Sequence, residues 1–86
     1  GALVYPNPFR PGAGEVLGVA GIPDEPAVFS VHDLGGALVH RFQSRGRDDF
    51  SWDGRAGDGS SVPSGIYVLT IQREGGMELL KFTLVR

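Results

Sequence analysis

The chain has 86 residues, a formal net charge of −2 and no cysteine, which indicates one small domain without disulfides or thiolate metal sites. Its eight basic residues form no run, and no apolar stretch approaches the roughly 20 residues of a membrane-spanning helix, so neither a nucleic-acid partner nor a membrane span is predicted. The 14 glycines and six prolines fall between short apolar runs, which is typical of short strands joined by tight turns.

Four strands are predicted in the first half of the chain. The first ends at two prolines, and turns rich in glycine or proline separate the others. In the third, Ala27, Phe29 and Val31 share one face, which is the alternation of a half-buried strand. The predicted strands are Ala2–Tyr5, Gly14–Ala20, Ala27–Asp33 and Ala37–Phe42.

Three further strands are predicted in the second half. Phe50 and Trp52 share a face of the first of these, and Tyr67, Leu69 and Ile71 share a face of the second. Glycine and proline interrupt nearly every window of helical length, so no helix is predicted. The pattern therefore predicts an all-β, antiparallel sandwich of about seven strands. The three strands are Asp49–Asp53, Gly65–Arg73 and Met77–Arg86.

The segment FSWDGRAGDGSSVPSGIYVLTI contains two Asp-Gly pairs, which either hold a cation or shape a turn. As a calcium site, Asp53 and Asp58 would be the ligands, with Asp48 and Asp49 approaching from the preceding strand. No oxygen-bearing side chain lies between Asp53 and Asp58, and Arg55 adds a positive charge. The turn is the favoured interpretation, because aspartate accepts hydrogen bonds from nearby backbone and glycine adopts positive φ.

Two aromatic residues flank this connection and allow two interpretations. Trp52 and Tyr67 could form a stacking platform for a sugar, which would make the chain an ancillary carbohydrate-binding module. Each alternates with other apolar residues, so burial in the core is favoured. The exposure of the two rings discriminates between these interpretations.

No catalytic constellation is predicted, so neither an enzyme nor a cofactor is expected. His32 and His40 flank a hairpin turn outside any motif, and the nucleophile elbow G-x-S-x-G does not occur. The glycines of GRAGDG are followed by neither lysine nor a predicted helix, which removes the physical basis of a phosphate loop. The arginines of this region are interpreted as solvated positions beside acidic neighbours: Arg41, Arg45, Arg47 and Arg55.

Four segments in order resemble a family of modules found at the C-terminal ends of secreted bacterial proteins. They are VYPNPF, VHDLGGALV, FSWDGRAGDGSSVPSGIYVLTI and a terminal strand that contains Lys81. The chain resembles the Ig-like domain named after the flagellar hook-capping protein and the related type IX secretion sorting domain. The residues that carry this resemblance are Pro6, Asn7, Pro8, Asp33, Gly36, Trp52, Asp53, Gly54, Gly65 and Tyr67.

The resemblance implies that residues 1–86 form a single Ig-like module at the end of a larger exported bacterial protein, at the cell surface or outside the cell. It implies a non-catalytic role in secretion sorting, surface attachment or extracellular assembly; a filament subunit is a further alternative. The implied partner is a protein: the export machinery, an upstream domain or neighbouring subunits. Because a partner can add a strand to a sheet edge, the terminal strand is the candidate recognition element, through Lys81, Phe82, Leu84 and Arg86.

Overall fold

The computed structural model describes residues 1–46 and 50–86, and this part of the chain is built from β-strands. Strands form where apolar and polar residues alternate between glycines and prolines, because the alternation gives each strand one face to bury. A single turn of 3-10 helix, Pro11–Ala13, follows the first strand. The six strands of the described residues are β1 (Leu3–Tyr5), β2 (Gly18–Ala20), β3 (Ala27–Asp33), β4 (Leu38–Ser44), β5 (Gly65–Arg73) and β6 (Gly76–Leu84).

The strands form two sheets that pack face to face. β1 pairs with β2, and the larger sheet has the order β4-β3-β5-β6. All of these neighbours are antiparallel. In the last hairpin Arg73 pairs with Gly76, so only two residues connect β5 to β6. The architecture is an all-β, Ig-like sandwich, which confirms the predicted fold class.

The core lies between the sheets and follows the predicted alternation along β3, β5 and the end of β6. Trp52 is 2% exposed and packs against Phe9 and Phe82, with ring centroids 6.0 and 6.2 Å apart. Phe29 and Phe50 stack with centroids 4.6 Å apart. The core residues are Val4, Phe9, Leu17, Val19, Ala27, Phe29, Val31, Phe50, Trp52, Val62, Tyr67, Leu69, Ile71, Phe82 and Leu84.

The predicted strand at Asp49–Asp53 is reduced to a single bridge in its described residues, 50–53. Trp52 donates to and accepts from the backbone of Leu17, at 3.1 and 2.9 Å. Gly54 follows at a φ of 83° and turns the chain away. The structure therefore has six strands over its described residues where about seven were predicted; Asp49 lies outside them.

The predicted strand at Gly14–Ala20 is also shorter, since β2 begins at Gly18. Gly14 has a φ of 82° and ends the 3-10 turn. The Glu15 carboxylate then accepts a hydrogen bond from the Arg10 N–H at 2.7 Å, which holds this part of the chain in a local loop. Side-chain and turn contacts here replace the strand pairing that the apolar run predicts.

Candidate interaction surface

β6 lies at the edge of the larger sheet, and the chain itself covers one end of that edge. The Thr83 N–H donates to Asn7 Oδ1 at 3.0 Å. The Thr83 carbonyl accepts from the Phe9 N–H at 2.8 Å, and the Phe9 carbonyl accepts from the Val85 N–H at 2.8 Å. The segment Asn7–Phe9 thus behaves as a short parallel addition to β6.

The remainder of this edge is open. Backbone groups alternate in direction along an antiparallel strand, so residues in step with Thr83 also point their N–H and C=O groups away from β5. These residues are Met77, Leu79 and Lys81. Within residues 1–46 and 50–86, their backbone groups have no hydrogen-bond partner on this side. We call these three residues the open edge of β6; it is a template for another strand.

The side chains of the open edge lie on the outer face of the sheet. Met77 and Leu79 are 61% and 59% exposed. Leu79 is in register with Thr70, and Lys81 with Val68, so the face beside the edge is partly apolar. Unpaired backbone groups and exposed apolar side chains therefore occur on the same residues, and an added strand would satisfy the first while covering the second.

The four predicted recognition residues have different surroundings. Lys81 belongs to the open edge, with its side chain in solvent. Phe82 and Leu84 are 1% and 0% exposed and form part of the core. Their side chains point between the sheets, so in the folded module they present no surface to a partner, and their part in recognition stays a prediction from the sequence.

Arg86 makes contacts within the chain. Its guanidinium donates from Nη2 to the Gly54 carbonyl at 2.6 Å and from Nε to the Val62 carbonyl. Its backbone N–H donates to Ser64 Oγ at 2.8 Å. These bonds connect the segment before β5 to the end of β6, and the part of Arg86 in recognition stays a prediction from the sequence.

The two aspartates of the connection make local turns. Asp53 Oδ1 accepts from the Arg55 N–H at 3.1 Å. Asp58 Oδ1 accepts from the Ser60 N–H at 2.9 Å and from Ser60 Oγ at 2.6 Å. The Ser60 hydroxyl, followed by the Ser60 N–H, lowers the pKa of Asp58. These contacts are those of the turn interpretation.

The calcium interpretation gains no further ligand from the described residues. Over residues 1–46 and 50–86, no three His, Asp or Glu side chains come together in a group that could hold a metal ion. Asp48 and Asp49, the other two predicted ligands, lie outside the described residues. The pair Asp53 and Asp58 therefore stays a prediction from the sequence.

Trp52 and Tyr67 are core residues whose polar atoms are satisfied inside the module. Trp52 Nε1–H donates to the Arg55 carbonyl at 2.8 Å, and the Tyr67 hydroxyl donates to the Pro63 carbonyl at 2.6 Å. Tyr67 is 4% exposed. Burial, and then the charge of Asp33, raise the pKa of Tyr67. The sugar-platform hypothesis is therefore wrong for these two rings, because neither presents a face to solvent.

The two histidines lie on different faces of the β3–β4 hairpin. His40 stacks on Trp52 with ring centroids 5.8 Å apart and an interplanar angle of 19°. Burial lowers the pKa of His40, while the charge of Asp53 opposes that shift. His32 pairs with Val68 on the outer face of β3. The arrangement gives His40 a packing role against Trp52.

Two of the arginines predicted as solvated positions have different surroundings. Arg55 donates from Nη1 to the Gly59 carbonyl at 2.9 Å, within its own loop. Arg41 is in register with Ser30 on the outer face. Arg47 lies outside the described residues.

The signature residues near the start and middle of the chain shape its turns. Asp33 Oδ1 accepts from the Ala37 N–H at 2.9 Å, and the Gly36 N–H donates to the Asp33 carbonyl at 3.1 Å with Gly36 at a φ of 89°. The peptide bonds before Pro6 and Pro8 are cis. The pattern that carries the resemblance is thus largely turn chemistry, together with the start of β5 at Gly65.

The two-sheet sandwich and its turns define an Ig-like module, and comparison with known proteins identifies its family. The FlgD Ig-like domain family matches residues 13–76, more than half of the chain, and the chain belongs to this family. This confirms the hook-capping side of the resemblance; membership of the sorting-domain family stays a prediction. No curated protein matches the sequence.

A solved structure shares the fold over the whole chain. The chain is similar to part of PorZ from Porphyromonas gingivalis, described as an essential bacterial surface component of the type-IX secretion system, with a TM-score of 0.82 and 28% identity. The match covers 100% of this chain and 12% of that one. Within the described residues, no helix is both long and apolar enough to cross a membrane.

Sequence reasoning missed Met77 and Leu79. The signal was present in the alternation of β6, which puts both residues on the same face as Lys81 and Thr83. Two apolar side chains next to each other on one outer strand face have no core to enter, and such a patch is a candidate interaction surface. That face belongs to an open edge only because β6 is the last strand of its sheet, and the sheet order comes from the structure.

Proposed function

We propose that the chain is a non-catalytic interaction module of a bacterial protein that acts at the cell surface or outside the cell. Its role would lie in secretion-related sorting, surface attachment or assembly. Membership of the FlgD Ig-like family and the likeness to a surface component of the type-IX secretion system support this proposal. Since the chain corresponds to 12% of PorZ, the module would be one part, the C-terminal one, of a larger exported protein.

The open edge of β6 is the observation that carries the proposal. A partner strand laid along Met77, Leu79 and Lys81 would pair with N–H and C=O groups that no other strand of the described residues uses, and such pairing supplies affinity in this mode of recognition. The two exposed apolar side chains and the Lys81 ammonium would supply specificity. The recognition element therefore keeps Lys81 from the sequence analysis and replaces Phe82 and Leu84 by Met77 and Leu79.

Export of a fused cargo tests the proposal. The module is placed after a cargo protein in a bacterium with a type IX secretion system, and cargo outside the cell is measured. Leu79→Asp puts a charge on the open edge and should lower export several-fold. Ile66→Asp makes the same change on the same outer face but on β5, where Ile66 is 47% exposed, and should leave export unchanged.

Circular dichroism of each purified module separates lost recognition from lost folding. Point variants are preferable to removal of residues 82–86, since that truncation deletes core residues Phe82 and Leu84 and would unfold the module. Failure of the intact fusion to leave the cell would refute the sorting role. Equal export of the Leu79→Asp and Ile66→Asp fusions would refute recognition through the open edge.

A further inference from the structure

The open edge of β6 is short and bounded at both ends. At one end the chain turns through Glu74–Gly75 into β5. At the other end, the backbone groups of Thr83 are already bonded to the segment Asn7–Phe9. An added strand meets unpaired backbone only from Met77 to Lys81, and a longer strand would collide with Asn7–Phe9. The open edge therefore favours a partner strand in which the stretch of unpaired backbone is equally short.

A second copy of β6 has such a stretch. When two copies run antiparallel about a two-fold axis at Leu79, Leu79 lies opposite its own counterpart and Met77 lies opposite Lys81. All of these pairs are of the hydrogen-bonded kind, because each residue points both backbone groups outward. Thr83 then lies level with Gly75 of the second copy. Because that chain turns away at Gly75, the second copy does not collide with the segment Asn7–Phe9 that covers the edge at Thr83.

The charges of the edge agree with antiparallel pairing. Of its three residues only Lys81 is charged, and this register puts Lys81 beside Met77, along which its methylene groups can pack. Parallel pairing through the same edge would need a half-turn about the strand axis, which turns the second copy over and puts its Met77, Leu79 and Lys81 side chains on the opposite face of the joined sheet. Only antiparallel pairing therefore brings the exposed side chains of the two edges together.

We infer that the open edge of β6 binds a second copy of this chain, antiparallel and centred on Leu79. The two four-stranded sheets then form one continuous sheet, and the symmetric contact closes at a dimer. The exposed Leu79 side chain is covered by Leu79 of the second copy, and Met77 by the methylene groups of the second copy's Lys81. This inference rests on the proposed function in that both use the open edge of β6.

Sedimentation equilibrium of the 86-residue chain over a wide concentration range tests the inference, with a monomer–dimer equilibrium expected. Leu79→Lys sets two ammonium groups opposite each other at the axis and should raise the dimer Kd several-fold. Ile66→Lys adds the same charge to the same outer face away from the edge and should leave the Kd unchanged.

Met77→Glu tests the register of the pairing, because this variant is expected to strengthen the dimer and not to weaken it. It places a carboxylate opposite Lys81 twice in each dimer, so it should lower the Kd several-fold, with a gain that shrinks as salt is added. A register shifted along the strand would not bring these two side chains together. Circular dichroism checks that each variant stays folded.

The results separate the inference from the proposed function. If the chain and Met77→Glu are both monomeric at every concentration, or if the dimer is insensitive to Leu79→Lys, the inference is overturned. A monomeric chain whose export is blocked by Leu79→Asp would overturn self-pairing and support recognition by another protein. A dimer with the expected variant effects and unchanged export would support self-pairing and refute the sorting role.

Discussion

Trp52 links more of the core than any other single side chain described above. Its ring packs against Phe9 and Phe82 and stacks with His40, and its backbone forms the bridge to Leu17. Its indole N–H is satisfied by a backbone carbonyl, so the ring is held in one orientation. A residue that touches this many parts of a small core should dominate its stability.

Replacement of Trp52 by alanine should lower the free energy of unfolding by about 3–5 kcal/mol, because it leaves a large cavity among buried rings. Urea unfolding followed by circular dichroism measures this change without relying on tryptophan fluorescence. Leu38→Ala is a suitable control, since Leu38 is 56% exposed, and its effect should stay within about 0.5 kcal/mol. Similar small losses for the two variants would contradict the core role of Trp52.

Among the elements, the connection from Gly54 to Val62 depends on contacts from outside itself. The turn of Asp53 leads into it, the turn of Asp58 lies within it, and the Val62 N–H donates to the Gly54 carbonyl at 3.1 Å. The Arg86 guanidinium then reaches the carbonyls of these same two residues, Gly54 and Val62. A planar, forked donor can serve two carbonyls at once, which an ammonium group cannot do in the same way.

Arg86→Ala should therefore loosen this connection and cost about 1 kcal/mol of stability, because two carbonyls lose a charged donor. Limited proteolysis should cut residues 54–62 faster in this variant, and Arg86→Lys should give an intermediate rate. Arg55→Ala removes a contact internal to the loop and serves as the comparison, with a smaller effect expected. Cleavage of Arg86→Ala at the rate of the unaltered chain would show that the fastening contributes nothing.

For the whole molecule, the sequence predicted what depends on local alternation and missed what depends on distant contacts. The inward residues of β3 and β5 follow from a period of two, which any half-buried strand imposes. Phe9 was not predicted in the core, since it follows two prolines and is buried by residues distant in sequence, beside Thr83 and against Trp52. The open edge of β6 is likewise a property of sheet order, which no short segment encodes.

The same dependence on distant contacts applies to Glu78, which ties the start of the chain to the last hairpin. Its carboxylate accepts from the Ala2 N–H at 2.8 Å and from Arg73 Nη1 at 3.1 Å. Ala2 immediately precedes β1 of the smaller sheet, whereas Glu78 and Arg73 belong to β6 and β5. The hydrogen bond from Ala2, followed by Arg73, lowers the pKa of Glu78 from its ordinary value of 4.5.

A lowered pKa in the folded state means that the ionised carboxylate stabilises the fold above about pH 4.5. That contribution is lost as the pH falls through the lower folded value, because the native state must then take up a proton. Glu78→Gln should be less stable than the unaltered chain at pH 7 and should lose stability less steeply in acid. Urea unfolding across this pH range measures both effects, with Glu74→Gln, in the exposed turn, as the control. If Glu78→Gln and Glu74→Gln follow the same acid profile, the tie between the two sheets does not contribute to the stability of the whole sandwich.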